Sequence, residues 1–172
     1  MEAKDYVGYD GLGLAGLVKR REVSPLELVE TAIGLIEKHN PTLNGVVHKA
    51  YDQARAEAAT IGTEGPFAGV PLLLKDILAA KAGLPLAQGS RLFEGYVDYH
   101  TSELTTRYGR AGFVVLGRTN APEFGILPTP EPLAYGPARN PWNPGHSTGG
   151  SSGGSAAMVA AGCLPIAHAN DG

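Results

Sequence analysis

The chain has 172 residues, a formal net charge of −3 and a charged fraction of 18%. That length predicts one domain, and the lack of a basic stripe argues against nucleic acid as a partner. MEAKDYVGYD has no apolar leader-like run, no segment approaches a membrane span, and the single cysteine, Cys163, cannot close an internal disulfide. A cytoplasmic chain without a membrane partner is therefore expected, with Cys163 as a small buried residue.

From Asp10 to Val23, Leu12, Leu14, Leu17 and Val18 are expected near one helix face, with Lys19, Arg20 and Arg21 late, where the helix dipole favours cations. Ser24-Pro25-Leu26-Glu27 spells a capping box with proline at the first helical position. The helix it opens carries Leu28, Ile33, Leu35 and Ile36 and is expected to stop before Asn40-Pro41, because the residue before a proline is pushed out of the helical region. Lys49 to Thr60 is alanine-rich and reads as a further helix. After Pro66 to Gly69 comes Val70-Pro71-Leu72-Leu73-Leu74, a continuous apolar run typical of a strand buried on both faces.

A helix near Ser102 to Gly112 leads into Phe113 to Gly117, a second buried-strand candidate. Ala121 to Pro144 holds seven prolines and reads as a long irregular loop, the kind that carries function or disorder. Residues 149–162, GGSSGGSAAMVAAG, begin as a Gly/Ser loop and turn into an apolar helix that Gly162 suits as a C-terminal cap. A loop feeding a helix offers free backbone N–H groups, and small residues admit a close approach, so this segment reads as a site rather than a spacer. Pro165 to Ala169 looks like a short strand. Alternating helices and buried strands predict an α/β class with a mostly parallel sheet: helices over about 10–60 and a strand-containing part over about 66–172 of one domain.

Lys75 follows the buried run directly. It is either a partly desolvated amine with a lowered pKa or a solvated strand end paired with Asp76. The serines Ser151 and Ser152 favour the first alternative, since a lysine acting through a second hydroxyl is one way to activate a serine. No G-x-S-x-G elbow, metal-ligand spacing or P-loop lysine is present, and His146 and His168 read as structural hydrogen-bonding groups.

Three segments together resemble the amidase signature family of hydrolases: GVPLLLKD at 69–76, GRTNAPEF at 117–124, and NPW at 140–142 followed by GGSSGGSAA. The likeness runs from about Ser24 to the end. Thr119 to Glu123 and Ala167 to Asp171 are worded more like general bacterial amidases and 6-aminohexanoate cyclic dimer hydrolases than like the amidase-type subunit of glutamyl-tRNA amidotransferase.

The resemblance implies the N-terminal part of the amidase-signature fold, a mostly parallel mixed sheet flanked by helices and incomplete in this chain. It implies a hydrolase that converts linear carboxamides to acid plus ammonia or amine through an acyl-enzyme, with no cofactor or metal. Lys75 would be the base, Ser151 the serine after a cis peptide bond that passes the proton, and Ser152 and Asp171 supports of the loop. Gly172 would be the first oxyanion-hole donor, and Gly125 and Ile126 would line an acyl pocket for an uncharged group. The family's nucleophile would fall about three residues past Gly172, so residues 1–172 alone are expected to be inactive. A small-molecule amide is the expected ligand, with a homodimer or a complementing C-terminal fragment as partner. Two alternatives remain: a non-catalytic interaction fragment with an exposed sheet edge, and a chain of the glutamyl-tRNA amidotransferase type.

Overall fold

The computed structural model describes residues 1–171. A short helix, α1 (Ala3–Tyr6), precedes α2 (Gly11–Lys19), which Asp10 caps by accepting the Gly13 N–H at 2.7 Å. Leu14, Leu17 and Val18 are buried as expected, but Leu12 is 60% exposed and faces away from the core. The capping box at Ser24 is formed: its Oγ accepts the Glu27 N–H at 3.2 Å and its own N–H donates to Glu27 Oε2 at 2.9 Å.

The helix it opens, α3 (Pro25–Leu43), runs past the expected stop at Asn40. Pro41 falls in the last turn, where its missing N–H forfeits a single bond, and Leu43 gains a buried position. Asn40 then turns the chain. Its Oδ1 accepts the Val46 N–H at 2.7 Å and its Nδ2 donates to Val46 O at 3.0 Å, while Asn44 adopts a left-handed φ of 48°.

This turn delivers β1 (Val46–Lys49), a strand too short to show a pattern in the sequence. After α4 (Tyr51–Thr60) come β2 (Pro71–Lys75), with every residue buried, then α5 (Glu103–Ala111) and β3 (Val114–Thr119). The proline-rich stretch is not wholly irregular. It holds a 3-10 turn at Glu123–Gly125 and leads into a ribbon of β4 (Arg139–Asn140) and β5 (Asn143–Ser147). The last helix, α6 (Gly153–Ala160), starts inside the Gly/Ser segment, and Gly162 follows it at φ 72°.

The main sheet has the order β1-β3-β2, with β2 parallel and β1 antiparallel to β3, so it is a mixed sheet with one pairing of each kind. Pro165 to Ala169 is not a strand. It lies beside β2 through one backbone bond, His168 N–H to Leu73 O at 2.9 Å, and the next bond in that direction uses the His168 ring. Leu28 and Ile36 of α3, Leu72 to Leu74 of β2, Val114 and Leu116 of β3 and Met158 of α6 belong to one apolar cluster. Among the described residues, no helix is long and apolar enough to cross a membrane.

Gly112 ends α5 at φ 97°, and a Cβ there would stand 2.7 Å from Ala68 Cα. Gly112→Ala is expected to cost roughly 3 kcal/mol or more, from left-handed strain plus the clash, read as a fall in the urea midpoint. A shift under about 0.5 kcal/mol would show that the turn relaxes freely.

Candidate active site

The apolar run of β2 carries the chain into the interior and leaves Lys75 at its end with no exposed surface. Lys75 Nζ donates to Ser151 Oγ at 2.6 Å and to the Asn170 carbonyl at 3.0 Å. Burial pushes its pKa down, and the Asp171 carboxylate, on an exposed residue, draws it the other way. The alternative pairing with Asp76 does not occur. The Asp76 carboxylate accepts the Ala87 and Gly89 N–H groups at 3.2 and 3.1 Å and the Tyr135 hydroxyl at 3.1 Å, and burial raises its pKa.

Ser151 is buried and follows a cis peptide bond from Gly150. The neighbouring glycines let three segments close on it. A Cβ on Gly150 would stand 3.1 Å from the Pro128 carbonyl, and one on Gly154 would stand 2.5 Å from both the N and O of Asn120. Ser152 Oγ donates to Asn170 O at 2.9 Å and accepts the Asn170 N–H at 3.3 Å, which fixes the carbonyl that Lys75 also uses. Ser155 Oγ donates to His168 O at 2.7 Å and lies 2.7 Å from Thr119 Oγ1.

Around Lys75, His168 takes the hydrogen-bonding role read for it in the sequence, whereas Arg118 and Asp98 carried no assigned role. His168 Nδ1 accepts the Lys75 backbone N–H at 3.2 Å. Arg118, fully buried, donates to the carbonyls of Lys75 (3.3 Å), Ala79 (2.9 Å) and Pro85 and pairs with Asp98 at 3.1 Å. A usable signal was present for Arg118: a charged residue inside an otherwise apolar buried strand must find partners. The partner Asp98 lies in a segment without a pattern, and no spacing pointed to it.

Gly125 sits against Ile77, where a Cβ would come within 2.8 Å of Ile77 Cδ1, and Ile126 is 77% exposed. Gly125 thus stands near the end of β2, and no hydrogen bond joins either residue to Lys75 or Ser151. Gly172 lies outside the described residues. Cys163 is buried with its thiol pushed up to about 11 by desolvation, and His146 is exposed on β5.

An amidase family model matches residues 27–172. The chain belongs to the amidase family. It is 44% identical over 164 residues to 6-aminohexanoate-cyclic-dimer hydrolase of Paenarthrobacter ureafaciens, a match covering 94% of this chain and 33% of that protein. It is 45% identical over 157 residues to a glutamyl-tRNA(Gln) amidotransferase subunit of Synechococcus sp. (strain CC9605), covering 87% and 32%, so identity alone does not separate those two readings. The solved structure of 6-aminohexanoate cyclic dimer hydrolase complexed with substrate superimposes with a TM-score of 0.91 at 43% identity, over 96% of this chain and 34% of that one. The chain spans about a third of the length of the curated relatives it matches.

In this amidase chain, the Lys75–Ser151 pair offers a basic amine and a hydroxyl within proton-transfer distance, shielded from solvent. The His168 beside it is held neutral: burial, then the charges of Lys75 and Arg118, push its pKa down to about 4. Its folded pKa lies below the unfolded value of about 6.5, so the unfolded chain binds the proton more tightly. Its stabilising contribution is complete above about pH 6.5 and is lost as pH falls toward about 4, on the order of 3 kcal/mol. Urea melts at about pH 7 and pH 4 should therefore show wild type losing about that much more than His168→Asn. Equal losses would mean that His168 titrates normally.

Proposed function

We propose that these residues form the base half of an amide hydrolase that converts a carboxamide to a carboxylic acid and ammonia or an amine. The buried Lys75–Ser151 pair, 2.6 Å apart, carries this reading, and membership of the amidase family supports it. In the first step, neutral Lys75 takes the Ser151 proton while Ser151 Oγ takes the proton of the nucleophilic serine, whose oxygen attacks the amide carbon. As the tetrahedral species collapses, the C–N bond breaks and the departing nitrogen receives that proton back through Ser151. Water, activated by the same pair, then cleaves the acyl-serine ester.

By the family resemblance the nucleophile follows Asp171 a few residues beyond Gly172, and the oxyanion-hole donors begin at Gly172. Residues 1–172 by themselves are thus inferred not to acylate. Gly125 and Ile126 are proposed to face an uncharged acyl group, because the exposed side chain of this pair is apolar. No step of this scheme calls on a cofactor. The exposed Leu78 and Ile126, at 71% and 77%, also favour further polypeptide of the domain, from the same chain or a complementing one, packing against this face.

The native gene product, assayed on a series of linear carboxamides, is expected to release acid and amine in equal amounts. Lys75→Ala should lower kcat by about 10³-fold or more and Ser151→Ala by about 10²-fold or more, in variants whose cooperative melting shows that they remain folded at the assay temperature. A Lys75→Ala enzyme with normal turnover would falsify the relay.

A further inference from the structure

Among the described residues, no strand on the edge of β2 away from β3 takes the hydrogen-bonding groups of Lys75. Side chains do. His168 Nδ1 accepts the Lys75 N–H at 3.2 Å, and Arg118 Nη1 donates to the Lys75 carbonyl at 3.3 Å. Because Nδ1 is an acceptor here, the ring proton resides on Nε2 and the imidazole is neutral. The ring is itself fixed at both ends of its residue. Its backbone N–H donates to Leu73 O at 2.9 Å, and its carbonyl accepts the Ser155 hydroxyl at 2.7 Å.

We propose that His168 is a positioning residue for Lys75: by holding the backbone N–H on the unpaired strand edge, it sets where the amine points relative to Ser151. The proposal rests on the reading of Lys75 as the base. A lysine side chain has four rotatable bonds, so its amine keeps a 2.6 Å contact only if the backbone beneath it is fixed. Arg118 holds the carbonyl side, and without His168 the amide side would be a buried N–H with no acceptor and room to shift. Displacements of about an ångström at a reacting group already cost on the order of 10²-fold in rate. The groups facing the imidazole are Lys75 from β2, Arg118 from β3 and the Tyr108 ring of α5, 6.0 Å away centroid to centroid. A protonated imidazole would direct an N–H at the Lys75 N–H and break the contact.

The test compares Lys75→Ala, His168→Leu and His168→Asn in the native gene product, with carboxamide turnover followed from about pH 5 to pH 10. His168→Leu should lower kcat about tenfold to a hundredfold with KM unchanged within about twofold, and speed hydrogen exchange at the Lys75 amide. His168→Asn places a carbonyl oxygen near the position of Nδ1 and should restore most of kcat and the slow exchange. Should His168→Leu not fold, His168→Phe, which fills the ring volume without an acceptor, takes its place. Wild-type kcat in the Leu or Phe variant despite fast exchange at Lys75 would overturn the proposal. So would an Asn variant that folds and protects the amide yet turns over as slowly as the Leu variant. Full turnover in Lys75→Ala would sink the base reading itself, an outcome that does not involve His168.

Discussion

Everything near the end of β2 answers to one constraint, an amine with no exposed surface. Taking an ammonium out of water costs several kcal/mol even after the interior relaxes, and the protein meets part of that cost with two oxygen acceptors within 3.0 Å. The remainder shows as a lowered pKa, which favours the neutral amine. The same desolvation that makes Lys75 expensive as an ammonium makes the neutral amine, the form able to accept a proton, easier to reach. The five buried residues of β2 create the condition, so an apolar run that looks purely structural also sets the chemistry of the residue that ends it.

A second consequence concerns the edge of the sheet. With β3 on one side only, β2 would present unpaired backbone groups to the interior, and each buried orphan costs about 1–3 kcal/mol. Leu73 O and both polar groups of the Lys75 backbone are met by His168, from outside the sheet, and by the side chain of Arg118. Arg118 can serve because its own charge is matched by Asp98 with both side chains buried. Removing one partner from such a pair costs about 3–5 kcal/mol, whereas exposed pairs such as Arg107–Glu103 are worth about 1 kcal/mol or less. Paired in this way, Arg118 also donates to Ala79 O and Pro85 O and so fixes the loop from Ala79 to Pro85 to the sheet.

The elements with local signatures were legible in the sequence: the Ser24 capping box, the Ser102-to-Gly112 helix, the apolar runs of β2 and β3, and the loop-to-helix character of residues 149–162. The misses share a cause. β1 is four residues long and exists because Asn40 and Asn44 turn the chain against β3, a tertiary effect. The helix continues through Pro41 because burying Leu43 outweighs one lost hydrogen bond. Pro165 to Ala169 has a strand-like composition but finds a single backbone bond on β2, since the next position is taken by an imidazole. Residue chemistry linked Lys75 to the Ser151/Ser152 pair, but only the family resemblance singled out Ser151, because 76 positions of sequence separate two groups that end 2.6 Å apart.

The Gly/Ser segment shows why composition alone understates such a stretch. Its glycines leave room for backbone: Gly154 lies against Asn120, with its N–H donating to Asn120 O at 3.2 Å, and Gly150 lies against Pro128. Its serines are divided among different partners. Ser151 meets Lys75, Ser152 meets both backbone groups of Asn170, and Ser155 joins Thr119 to the carbonyl of His168. The hydroxyls thus tie α6 and its entry loop to β2, to the end of β3 and to the 168–170 segment, all packed around Lys75. A larger residue at Gly150 or Gly154 would separate the segments, an apolar one at Ser155 would take the hydroxyl donor from the His168 carbonyl, and one at Ser151 would cost the Lys75 amine an acceptor. The small residues at 150 and 153–155 are therefore constrained by close contacts, and the hydroxyl that reaches the lysine is held by the same packing that holds its neighbours.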